Sequence, residues 1–70
     1  MTTADLIRMA NQIAANFAAH EEAEAATAIA SHLRQFWEPR MRQDLIAASA
    51  EGRAEELSPQ VLSALALLQQ

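Results

Sequence analysis

Apolar residues recur along this chain with the spacing of helix faces, and the β-branched residues are too few and too scattered for strands. Over residues 4–20, Leu6, Met9, Ala10, Ile13 and Phe17 fall at i, i+3, i+4, i+7 and i+11, one face of an α-helix. Thr2 or Thr3 can cap that helix, and Asp5 lies in the first turn, where the helix dipole favours an acid. A second stripe over residues 22–37 runs through Ala26, Ile29, Ala30, Leu33, Phe36 and Trp37, with Glu21, Glu22 and Glu24 at its start. Glu38 precedes Pro39 and is pushed out of the α region, so this helix is predicted to end there. Pro39 has no N–H to lose in a first turn and opens a third helix over residues 39–50, with Met41, Leu45 and Ala48 on one side and Ile46 beside them. Gly52 supplies its stop, and a polar link follows. Ser58 then caps and Pro59 opens a last helix in which Val61, Leu62, Ala64, Leu65, Ala66, Leu67 and Leu68 leave almost no polar face. A helix apolar nearly all round needs cover all round, more than three short neighbours provide, so another chain is expected over part of it. The predicted fold is all-α: a small bundle of three to four short helices without a sheet, forming one domain over residues 1–70.

Size sharpens that expectation. At 70 residues a single core supplies only about 3 to 5 kcal/mol of net stability. With no Cys and two His, neither disulfides nor a structural zinc site is available as a staple. The apolar fraction is 51%, yet 17 of the 36 apolar residues are Ala, which adds little area to a core. The lack of Cys fits a reducing compartment, and Asp5 and Arg8 interrupt the first ten residues where a secretory signal needs an unbroken apolar run. No window approaches the roughly 18 to 20 apolar residues of a membrane span, so the expected location is cytoplasmic, away from membrane. A formal net charge of -4 argues against nucleic acid, whose phosphates require a basic surface.

Candidate chemistry is sparse. His20 and His32 stand twelve residues apart, without the short helical spacing or the thiolates of a closed zinc site. Ser31, Ser49, Ser58 and Ser63 have no recognisable nucleophile setting, and one Gly cannot build a phosphate loop. No catalytic, cofactor-binding or metal-binding residue is therefore assigned. The informative stretch is Leu33-Arg34-Gln35-Phe36-Trp37-Glu38-Pro39-Arg40-Met41-Arg42, which holds the single Trp, one of two Phe and three of five Arg in a chain without Lys. Trp and Arg dominate interface hot spots, and Arg pairs bidentately where Lys mainly solubilises. Acidic runs flank the stretch on both sides, at residues 21–24 and 51–56, so its positive charge is local. Phe36 and Trp37 fit a core role as well as an interface. The residues expected to bind a partner are Arg34, Phe36, Trp37, Pro39, Arg40, Met41, Arg42, Leu62 and Leu65.

The strings Arg8-Met9-Ala10-Asn11-Gln12-Ile13, Ile29-Ala30-Ser31-His32-Leu33-Arg34 and above all Phe36-Trp37-Glu38-Pro39-Arg40-Met41-Arg42 form a familiar series. From Leu6 to Leu65 the chain resembles the delta subunit of NAD-dependent, molybdenum-containing formate dehydrogenases. In that family Asp usually precedes the first Pro, where this chain has Glu38, and Ser58-Pro59 replaces a frequent Asp-Pro. The resemblance implies a non-catalytic accessory subunit of a cytoplasmic complex interconverting formate and carbon dioxide. It would dock on and stabilise the catalytic alpha subunit, with a role in assembly. The alpha, beta and gamma subunits would carry the molybdenum cofactor, iron-sulfur clusters, FMN and the NAD site. The residues agree with that division, since a chain without Cys has no thiolates for a cluster, and no dinucleotide motif is present. The alternative is an autonomous helical homo-oligomer or regulatory interaction protein whose last helix packs on its own copy.

Overall fold

Two of the helices begin where a side chain supplies partners for amides that have none inside the helix. The computed structural model describes all residues 1–70 and contains four helices and no strand: α1 (Thr3–Asn16), α2 (Glu22–Phe36), α3 (Pro39–Ala48) and α4 (Pro59–Leu68). At α1 the Asp5 N–H donates to Thr2 Oγ1 at 3.1 Å while the Thr2 N–H donates to Asp5 Oδ2 at 3.1 Å, a reciprocal capping box. At α4 the Val61 N–H donates to Ser58 Oγ at 3.3 Å, with Pro59 in the first turn. Pro39 likewise opens α3, whereas Glu21 and Glu38 lend no side-chain hydrogen bond to the helices they precede.

Helix ends depart from expectation by a few residues. α1 stops at Asn16 instead of running to residue 20, because Phe17 leaves helical geometry, and its ring packs against the core. α2 stops at Phe36, one residue early, with Trp37 already extended. α3 stops at Ala48, and residues 49–53 widen into a looser turn in which the Ser49 hydroxyl donates to the Ile46 carbonyl at 2.7 Å. Gly52 at φ +101° then reverses the chain, a conformation that costs a side-chain-bearing residue far more than glycine. A single tight turn, Ala54–Glu56, leads to Leu57 and α4.

The core gathers Leu6, Ile7, Ala10 and Ala14 of α1, Ala25, Ile29, Ala30 and Leu33 of α2, Leu45 of α3 and Val61, Ala64 and Leu65 of α4, together with Trp37 and Leu57 from the connections. α2 and α4 make the most extensive pair. The alanines buried on them have no bulk to hold the backbones apart, and close packing compensates for the shortage of large side chains. The Ser63 hydroxyl meets Glu22 at the start of α2, and the Leu67 carbonyl meets Arg34 near its end, so the two helices run in the same general sense. α4 is not enclosed by this packing: Val61, Ala64 and Leu65 are buried, Leu62 and Ala66 are exposed, and Leu67 and Leu68 are half-buried. No buried side-chain nitrogen or oxygen lacks a hydrogen-bond partner.

Candidate functional site

The α2–α3 corner contains most of the residues singled out above and divides them sharply. The Trp37 N–H donates to the Leu33 carbonyl at 3.0 Å as the last bond of the helix, and the extended backbone at Trp37 and Glu38 swings the indole inward until only 6% of the residue is exposed. Phe36, one position earlier, turns outward and is 69% exposed, its ring tilted 43° against that of His32 with centroids 4.8 Å apart. The apolar stripe runs through both aromatics and leaves a core role and an interface open for each; the fold puts Trp37 in the core and leaves Phe36 outside it. The departure from helix geometry at Trp37 gives the inward position to the larger ring.

The three arginines separate in the same way. Arg42 is half-buried, and its Nη1 donates to the carbonyls of Leu33 at 3.1 Å, Arg34 at 3.4 Å and Trp37 at 2.7 Å. A helix leaves its last carbonyls without internal donors; the guanidinium reaching back from the next helix serves those of Arg34 and Trp37, adds a second donor to that of Leu33 and counters the negative end of the α2 dipole. Arg34 does the same for α4, donating from Nη2 to the Leu67 carbonyl at 3.2 Å. Arg40 is solvated: its side chain is 86% exposed and meets Asp44 one turn later through Nε at 3.4 Å. The trio is one local positive surface in the sequence, but two of the three are built into helix ends.

Of the remaining expected partner-binding residues, Pro39 is exposed, Met41 is half-buried against the core, and Leu62 is 36% exposed on α4. Leu65 is 2% exposed, so the chain's own core already occupies it. Phe36, Pro39, Arg40 and Leu62 are therefore the members of the set that present freely to a partner, with Arg34 exposed beside its carbonyl contact.

A further polar residue, outside the α2–α3 corner, ties distant parts of the chain together. Asn11 on α1 donates from Nδ2 to the Glu56 carbonyl at 2.8 Å and accepts from the Ser58 N–H through Oδ1 at 2.9 Å. It thereby clamps the backbone on both sides of Leu57, which is buried. The available signal was a polar amide four residues after Ile7 and three before Ala14, which places it at the edge of the buried face.

Ionisable groups with displaced protonation lie away from this corner. The Thr2 backbone N–H first, then Arg8 and the Thr2 hydroxyl, hold the Asp5 carboxyl below its usual range. The bidentate contact of Arg53 with Glu56, at 2.8 and 3.0 Å, lowers the Glu56 carboxyl and raises the Arg53 guanidinium. His20 and His32 each rest against a phenyl ring, of Phe17 and Phe36, and no group of three His, Asp or Glu side chains converges as metal ligands. No helix is long and apolar enough to cross a membrane.

Among known proteins, no curated sequence and no solved structure matches the chain significantly. A family model does match, over residues 5–65, which takes in α1 from Asp5 onward, the whole α2–α3 corner and α4 as far as Leu65. The chain belongs to the NADH-dependent formate dehydrogenase delta subunit family, FdsD.

Proposed function

We propose that the chain is a non-catalytic accessory subunit of a cytoplasmic NAD-dependent formate dehydrogenase, docking on the catalytic alpha subunit, stabilising it and aiding its assembly beside the beta and gamma subunits. In this reading the molybdenum cofactor, iron-sulfur clusters, FMN and NAD site belong to the other subunits. Family membership supports the assignment to the complex. The observation that supports docking is the outward Phe36: a large aromatic ring, 69% exposed, standing at the same corner as the solvated Arg40 within the stretch that the family match covers. An exposed aromatic beside an arginine is the composition of an interface hot spot, and burying the ring against a partner removes apolar area from water.

Phe36→Ser and Arg40→Glu test this directly, because neither side chain supports the fold and surface changes of this kind shift stability by no more than about 0.5 kcal/mol. Each variant is expected to keep the parent's circular dichroism and to lose about tenfold or more in affinity for the purified alpha subunit, the charge reversal through repulsion and the serine through lost apolar contact. Parental affinity in both, or a discrete homo-oligomer that ignores the alpha subunit, would sink the proposal.

A further inference from the structure

Five arginines supply the chain's permanent side-chain cations, and three of them have carboxylates of their own: Arg8 with Asp5, Arg40 with Asp44, and Arg53 with Glu56. Arg34 and Arg42 meet no carboxylate. Both line the same open groove of about 360 Å³, together with Pro39, Gln43, Ile46 and Leu68. Each commits one terminal nitrogen to backbone carbonyls, Nη2 of Arg34 and Nη1 of Arg42, so Nε and the other terminal nitrogen of each guanidinium have no acceptor within the chain. The C-terminal ends of α2 and α4 both reach this groove, and the roughly half negative charge of each is smaller than the full charge of a guanidinium. Two guanidiniums with uncommitted donors thus face one groove on a chain whose formal charge is -4.

We propose that this groove seats an acidic segment of the partner subunit, with an Asp or Glu carboxylate taken between Arg34 and Arg42 and a neighbouring apolar side chain laid on Pro39, Ile46 and Leu68. Charge complementarity selects the occupant. Planar guanidinium groups with free donors match a carboxylate in geometry as well as sign, and the apolar wall shields the pair from water. The chain's net negative charge disfavours a polyanion over a single carboxylate. The inference rests on the docking proposed above but concerns another face. Arg34 and Phe36 are two residues apart on α2, about 200° around its axis, so the groove and the outward ring point away from each other.

Gln43 gives access to the groove without disturbing it, since its side chain is exposed and makes no hydrogen bond in the chain. In the assembled complex, a photo-crosslinking residue at position 43 is expected to capture a partner segment with an Asp or Glu within a few residues of the attachment point. Gln43→Glu adds a like charge and is expected to weaken binding to the alpha subunit about tenfold or more at low salt, an effect that shrinks as salt rises, whereas Gln43→Lys is expected to bind at least as well as the parent. Arg34→Gln should weaken binding in the same sense. If that variant loses helicity, Gln43→Glu decides the question alone. Capture of a second copy of this chain, capture of a segment without acidic residues, or parental affinity for Gln43→Glu would overturn the proposal. Sensitivity to Phe36→Ser with none to Gln43→Glu would remove the groove and leave the docking face standing; insensitivity to both would remove both.

Discussion

The α2–α3 corner and the segment linking α3 to α4 both carry the chain through a change of direction, yet they are held in different ways. The corner is closed by near neighbours: Arg42 reaches carbonyls five to nine residues back, and Trp37 bonds to Leu33 within the last turn of its own helix. The link is held from outside. Its buried anchor, Leu57, is bracketed by Asn11, 45 and 47 residues away in sequence from the groups it bonds, while within the link Gly52 and the Arg53–Glu56 pair shape the turn. The corner therefore needs only α2 and the start of α3 to take shape. The link acquires its geometry only when α1 is docked, after the entropy of closing a long loop has been overcome.

The largest expected effect tests the corner. Trp37→Ala empties the indole site in the core and is expected to lower unfolding free energy in urea by about 3 to 5 kcal/mol, most of what a chain of this size has. A loss under about 1 kcal/mol would mean that the ring adds little beyond covering Leu33 and its neighbours. Asn11→Ala comes next. It leaves the Glu56 carbonyl and the half-buried Ser58 N–H without their partner, at a cost of about 1 to 3 kcal/mol. Amide exchange should then accelerate at Ser58 and through the link while the amides of α2's last turn keep their parental protection. Equal acceleration at both would erase the distinction between the two regions.

The smallest effect is acidic. Bonding to Arg53 holds the Glu56 carboxyl below its ordinary value of 4.5, so the folded state binds that proton less readily than the unfolded chain. The stabilisation is fully present above that ordinary value and is lost as pH falls through the lowered folded one; Asp5, held below 3.8, behaves alike at α1. Both carboxyls are solvent-exposed, so the drop in melting temperature below about pH 4.5 should be slight. Glu56→Gln should remove the link's share of it and Asp5→Asn the share of α1, leaving the corner unaffected; an unchanged acid limb in both variants would show that these contacts do not couple to folding.

Much of the architecture is legible along the chain because helix punctuation is local. Thr2, Pro39, Gly52, Ser58 and Pro59 act on amides and dihedrals within a few positions of themselves, and the stripes of α2 and α3 show their faces through spacing, whereas α1 buries Leu6, Ile7, Ala10 and Ala14 and leaves Met9, Ile13 and Phe17 half-buried. The family resemblance is also legible in the segment at residues 36–42. The roles of its side chains were another matter. Phe36 and Trp37 are adjacent and chemically alike, and which ring is buried follows from one extended residue that the pattern placed inside the helix. Arg34 and Arg42 could not be told from Arg40 by composition, since all three are arginines beside an apolar stripe. What separates them is the position of carbonyls at the ends of other helices, which exists only after packing. Asn11 shows the same limit at longer range: its two bonding partners lie more than forty residues away and become neighbours only when Leu57 enters the core. Helix number and starts are set by interactions within a turn or two of sequence; the packing of one helix on another decides which arginine closes a helix C-terminus, where Asn11 finds its partners and which aromatic faces water.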